Sequence, residues 1–426
     1  MKSPLYHKTV LDNGIRIITE KTGHVRSVSL GVWINVGSRD EKASEYGVSH
    51  FIEHMHFKGT KKRSAKDIAV ALESLGGSLN AFTGREQTCY YVRILDEHLS
   101  AAVDVLSDIL KNSLMLETEF KKERKVILEE LKDIEDTPSD LVHDVLMQTI
   151  WPKQSLGQPI IGTKRSISRL TREQLIKYLK TNYCNSNVVI AVCGNLEHEA
   201  LVDMVKKHFK FSSSLKPDSL KGASPLAVKS NFTAAHKNSA QTHICLGVPS
   251  HPYNTERRYA ALILNDVLGG SMSSRLFQSI REDLGLAYSI YSFVDFFEDT
   301  GVFGVFLSTD KKKTIEAVDS VLEQIRKFKK NKLSEQELQQ AKYQLRGNLI
   351  LNLESTSNQM TRLARNELYL NKYIGLDQTL RNIDKVKAIQ ISDMANELLD
   401  KANFCLAILG PVDKGILKKI DWDKVG

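Results

Sequence analysis

Midway along the chain, a polar stretch rich in Ser and Pro, "FKFSSSLKPDSLKGASPLAVKS", runs from Phe209 to Ser230 and interrupts the apolar patterning. With 426 residues there is too much chain for one ordinary core. A linker near the midpoint therefore predicts two domains of similar size, and invites comparison of the halves. The first half opens with alternating apolar and polar residues around turn signals at Asn13-Gly14 and Thr22-Gly23, which reads as strands in hairpins. Helical periods follow at about 45–58 and 64–76, then a strand pair in "GGSLNAFTGREQTCYYVRIL", then helices at about 98–113 and 117–136, the last stopped by Pro138. The second half repeats this logic: a strand in "THICLGVPSH", a helix at about 255–268, the strands "AYSIYSFVDFF" and "GVFGVFLST", and long helices. The expected fold class is α+β, two homologous α/β domains, each a mainly antiparallel sheet packed with helices. The expected boundaries are 1–210, a linker over 211–230, and 231–426.

Composition narrows the function classes. A hydrophobic fraction of 42% with 26% charged residues suits a globular chain in water. The net charge of +8 is spread among acids, as in "ETEFKKERKVILEELKDIED", the pattern of a solvated helix face. No aromatic-interleaved basic patch accompanies it, so nucleic-acid binding is not expected. No apolar run reaches the roughly 18 residues of a membrane span. Five widely spaced cysteines with no CxxC pair fit a reducing compartment and exclude a cysteine zinc site. The N-terminus lacks both a signal-peptide apolar region and a transit-peptide composition. The expected location is cytoplasmic, although a chain whose targeting segment had been removed would read the same.

The chemistry concentrates in "VSHFIEHMHF", Val48–Phe57. On a helix, His50, Glu53 and His54 share a face, so two imidazoles can converge on one ion with a carboxylate beside it. Zinc accepts such nitrogens, and a hydrolytic site keeps one position for water, which a neighbouring glutamate can deprotonate. His56 is out of register and points elsewhere. A surface helix with chance histidines is the alternative, and a third ligand is needed to decide. The helix at 117–136 offers one. Phe120, Ile127, Leu131 and Ile134 form its apolar stripe, and Glu130 lies at the stripe's margin, with Glu123 two turns earlier on nearly the same line. Glu129 points away to solvent.

HxxEH followed by a glutamate about 76 positions after the second His resembles the pitrilysin-type zinc metallopeptidases, the inverzincins. The likeness is nearest to the shorter subfamily of mitochondrial processing peptidase beta subunits and their bacterial processing-protease relatives. It extends along the chain through "LDNGIRIITE", "GVWINVGSRDE", "GVSHFIEHMHFKGT", "GGSLNAFTGREQTCYYV" and "SSRLFQSIREDLGLAYSIYS". The resemblance implies one zinc ion per chain held by His50, His54 and Glu130, with Glu53 as general base and Glu123 as a supporting glutamate. It also implies that Asn80, Ala81 and Phe82 lie on an edge strand to which a peptide adds, and that Arg281 and Tyr288 stabilise the oxyanion. The function it implies is a zinc endopeptidase cleaving extended, unfolded peptides in a chamber formed by a homodimer. Two alternatives are a non-catalytic scaffold subunit, which would lack the zinc motif, and a shorter metal-dependent lyase whose third ligand is cysteine.

Overall fold

A computed structural model of the chain describes residues 5–209, 230–331 and 333–425. The expected linker at 211–230 lies, except for Ser230, outside the described residues. The chain forms two compact units, and both are mixtures of sheet and helix. One takes in Met1–Lys132, Gln158–Gly222 and Asn352–Tyr373, the other Asp133–Gly157, Ala223–Leu351 and Ile374–Gly426.

The first unit holds strands β1 (Leu5–Val10), β2 (Arg16–Lys21), β3 (Ser27–Ile34), β4 (Ser78–Thr83), β5 (Thr88–Leu95) and β6 (Val188–Gly194). They make one sheet in the order β1-β2-β6-β3-β5-β4, in which only β2 and β6 run parallel. Helices α1 (Val48–His56) and α2 (Ala65–Glu73) connect β3 to β4, and α3 (Leu99–Asn112) and α4 (Glu117–Glu135) follow β5. α4 ends at Glu135, ahead of Pro138 as expected, and Pro138 also begins the next helix, α5 (Pro138–Ile150), where its missing N–H costs nothing. Then come α6 (Lys164–Arg169), α7 (Arg172–Asn182) and, after β6, α8 (His198–His208).

The second unit holds β7 (Asn231–His236), β8 (Thr242–Ser250), β9 (Ser289–Phe296), β10 (Gly301–Thr309) and β11 (Cys405–Gly410), in the order β7-β11-β8-β10-β9. Again one pair is parallel, β7 with β11. Dropping β1, the first sheet reads β2-β6-β3-β5-β4, the same topology strand for strand. The repeat of elements in sequence is thus a repeat of sheet topology. Helices α9 (Arg257–Gly269), α10 (Thr314–Lys330), α11 (Glu335–Asn352), α12 (Thr356–Leu370), α13 (Leu376–Asp384) and α14 (Ala388–Leu398) complete the chain.

The units depart from contiguous halves in one respect: two helices are exchanged. α12, late in the chain, packs on the first sheet, where Met360, Leu363 and Ala364 cluster with Ile18, Trp33, Val189 and Ala191. Glu367 of α12 is buried there against Lys8 at 2.8 Å and Arg16 at 3.3 Å. α5, from the first half, packs on the second sheet, with Val142, Leu146 and Ile150 against Val302, Phe306 and Ala407. Strands buried on both faces need a second cover, and here it comes from the other half of the sequence. The division at 1–210 and 231–426 leaves this exchange out.

All five cysteines are buried and unpaired with one another. No helix among the described residues is long and apolar enough to cross a membrane.

Candidate metal centre

Helix α1 buries Val48, Phe51, Ile52 and Met55 and leaves His50, Glu53 and His54 along its half-buried flank. Its start is unusual. The N-cap is Gly47 at φ 92°, and a Cβ there would stand 2.5 Å from the Ile161 carbonyl oxygen, so glycine is required. With no capping side chain at that position, the buried Glu41 carboxylate caps the helix from a distance. It accepts the N–H of Gly47 at 2.7 Å and that of Ser49 at 2.8 Å.

His50 Nε2 lies 3.6 Å from Glu130 Oε1, and His54 Nε2 lies 3.6 Å from Glu130 Oε2. Both separations are too long for hydrogen bonds. They suit ligands sharing an ion: with Zn–N and Zn–O bonds near 2.0–2.1 Å, tetrahedral ligand atoms sit about 3.3 Å apart. One ligand atom from each of His50, His54 and Glu130 falls within 4.8 Å of the others, and this is the metal-competent group of three or more His, Cys, Asp or Glu found among the described residues. The donor set therefore fits zinc.

The two imidazoles are oriented differently. His54 Nδ1 lies 3.2 Å from Glu123 Oε2, and Lys58 Nζ lies 2.9 Å from the other Glu123 oxygen. Burial pushes the Glu123 carboxyl up, but these partners outweigh it and hold it below the ordinary range. An ionised carboxylate only accepts, so His54 must donate from Nδ1 and keep the Nε2 lone pair for the ion. His50 has no such partner, and its Nδ1 is buried without a hydrogen bond among the described residues. Burial, then the neighbouring His54, pulls His50 down to about 4, which keeps it neutral and ready to ligate.

Glu53 stands on the same helix face and accepts a hydrogen bond from the Thr83 hydroxyl at 2.5 Å. Burial pushes its carboxyl up, more than Thr83 and His54 pull it down, and upward is the direction a group needs to take and return a proton near neutrality. His56 faces the interior, and its Nδ1 pairs with the Tyr90 hydroxyl at 2.7 Å. Burial pulls it down to about 3. Glu129 is exposed and pairs with Lys132 at 2.6 Å.

β4 lies at the sheet edge, paired with β5 alone among the described strands. Asn80 and Phe82 are exposed on it, Ala81 is half-buried, and Thr83 ends the strand beneath Glu53. Arg281 and Tyr288 come together in the second unit. Arg281 rides on a π-helical segment, Phe277–Asp283, with its guanidinium 4.7 Å from the Phe277 ring and 5.7 Å from the Tyr288 ring. Tyr288 is 73% exposed. Three partners escaped the sequence reasoning: Glu41, Thr83 and Lys58. Only Lys58, four residues after His54, carried a spacing signal.

Comparison with known proteins agrees with this construction. Residues 16–164 match the model described as insulinase (peptidase family M16), and 169–345 match that described as the peptidase M16 inactive domain. A Bacillus subtilis protein named uncharacterized zinc protease YmxG is 39% identical over 399 residues, covering 94% of this chain and 97% of that one. The chain belongs to peptidase family M16. A Mycobacterium leprae protein named uncharacterized zinc protease ML0855 is 39% identical over 409 residues, covering 95% of this chain and 91% of that one. The M16 fold recurs in the crystal structure of a protease from Helicobacter pylori, with a TM-score of 0.87 at 23% identity, over 96% of this chain and 100% of that one.

Proposed function

We propose that this M16 protein is a zinc endopeptidase acting on extended, unfolded peptides, with one zinc ion per chain. The observation that carries the reading is the convergence of His50, His54 and Glu130 beside Glu53. With zinc bound there, its Lewis acidity would polarise the scissile carbonyl and acidify the attacking water. Glu53 takes the proton from that water as it attacks and delivers it to the departing amine. Glu123 fixes the His54 tautomer through Nδ1. The free edge of β4, at Asn80, Ala81 and Phe82, receives the peptide as an added strand, so main-chain hydrogen bonds hold it with little demand on sequence. We assign to Arg281 and Tyr288 the hydrogen bonds that offset charge on the carbonyl oxygen. By resemblance the enzyme is of the processing peptidase beta-like kind and works as a homodimer enclosing a chamber; the spacing of its cysteines supports a cytoplasmic location.

A scaffold role is disfavoured by the complete donor set. The test compares wild type with Glu53→Gln on a quenched fluorescent peptide of about 15–20 residues, long enough to cover an extended strand. The reading expects cleavage by wild type and silence from a variant that still binds zinc. Equal cleavage by both would remove Glu53 from its role, and zinc-bound wild type that cleaves no peptide in a varied pool would favour the scaffold.

A further inference from the structure

Behind the metal-binding helix lies a second feature that zinc chemistry does not use. A cavity of about 210 Å³ opens between the end of α1, the end of α3 with the loop after it, and α7. Its lining is mixed: Leu110, Leu114, Met115, Ile176 and Leu179 give an apolar side, beside Ser113 and the exposed Lys111 and Lys180. His56 also lines it, is fully buried, and its Nε2 has no hydrogen-bond partner among the described residues. By helical rotation His56 lies well over 90° from His50 and His54, so the cavity is on the far side of α1.

The His56 ring has one committed nitrogen. A phenol is a stronger acid than a neutral imidazole N–H, and an imidazole nitrogen is a better acceptor than a phenol oxygen. We assign the Tyr90 hydroxyl as donor in the 2.7 Å contact to Nδ1, with Tyr183 donating to Tyr90 across the longer 3.3 Å contact, so that the proton of the neutral ring sits on Nε2. A buried N–H without an acceptor costs free energy, and none of the described residues supplies one. Lys111 donates to the His208 carbonyl at 2.8 Å, and the Lys180 side chain stands at the same rim. An acceptor carrying negative charge on an apolar body complements all three features.

We propose that this cavity binds a small amphipathic carboxylate, a straight-chain acid of medium length, with its carboxylate accepting from His56 Nε2 and its chain against Leu110, Met115, Ile176 and Leu179. At roughly 30 Å³ for a water-sized group, and less for bonded carbons, the volume holds about seven to ten non-hydrogen atoms, the size of octanoate. The ligand would touch the segment that fastens the end of α1. There Ser113 donates to the Met55 carbonyl at 3.2 Å and the Leu114 N–H to the Gly59 carbonyl at 3.1 Å. Binding here does not depend on the peptidase reading, and it is measured without any substrate.

The test titrates octanoate into the purified full chain by calorimetry and follows the unfolding midpoint in parallel. We expect a Kd below about 1 mM and a rising midpoint, since a ligand of the folded state stabilises it by mass action. Octan-1-ol, which lacks the charge, should bind about tenfold more weakly or worse. Leu179→Trp, which fills the cavity from α7, should abolish binding. Lys180→Glu, an exposed change that leaves the core alone, should weaken it about two- to fivefold. Absence of heat and of any midpoint shift would overturn the proposal. So would binding that survives unchanged in Lys180→Glu and in folded Leu179→Trp, because the ligand would then sit elsewhere.

Discussion

Removing the carboxylate of Glu123 tests how the metal centre is built. Glu123 is not among the three converging groups; its oxygens go to His54 Nδ1 at 3.2 Å and to Lys58 at 2.9 Å. In Glu123→Ala, His54 loses the acceptor that fixes its tautomer, and the Lys58 ammonium is left beside the site of a dication. Partners of this kind are worth about 10- to 100-fold in metal affinity. The His54 side chain is 21% exposed, so water can replace the lost acceptor, and this places the loss nearer tenfold, about 1.4 kcal/mol. Zinc affinity is measured by competition with a chromophoric chelator. Glu123→Gln, which keeps an oxygen acceptor without charge, should lose less. Lys58→Met combined with Glu123→Ala should recover part of the loss. Glu129→Ala, on the exposed side of the same helix, should bind zinc as wild type does. An unchanged affinity in Glu123→Ala, or an equal loss in Glu129→Ala, would refute the argument that Glu123 orients His54.

Other positions give equally direct expectations. Leu363→Ala on α12, where Leu363 is 1% exposed, should destabilise the fold by about 2–5 kcal/mol in denaturant unfolding; a value under about 0.5 kcal/mol, typical of a surface site, would mean that α12 does not cover the first sheet. Gly47→Ala meets the Ile161 carbonyl and a positive φ together, so it should cost about 1–3 kcal/mol and weaken zinc binding through the displaced start of α1; unaltered unfolding and zinc affinity would contradict the capping account. Burial pushes the Asp108 carboxyl up, but hydrogen bonds from Asn112, Thr60 and Arg63 outweigh it and hold it below its ordinary 3.8. The folded state therefore binds that proton less readily than the unfolded chain, and the stabilisation is present above about pH 4 and lost as acid titrates the folded carboxyl. Asp108→Asn should flatten the stability curve below about pH 4, and a curve parallel to wild type would show that Asp108 is not the source.

What could be read in advance was decided by how far apart the cooperating residues lie in sequence. His50, Glu53 and His54 are bound to one another by helix geometry alone, so a spacing of three and four is already a spatial statement. Glu130 was reachable because a second amphipathic helix assigns each position to a face, and the same wheel separates it from Glu129. Periodicity says which face of a helix is buried but not against what. α12 and α5 each carry a sound apolar stripe, and nothing local tells either helix that its sheet belongs to the other half of the chain. The partners that tune the site follow the same rule: Glu41 reaches the start of α1 through a turn, and Thr83 reaches Glu53 from a strand that begins beyond a further helix. His56 shows the point from the opposite direction. Two residues past His54, it is turned by the helix away from the candidate ligands toward Tyr90, and that rotation leaves its second nitrogen, buried and without a partner among the described residues, in the wall of a cavity on the far side of α1.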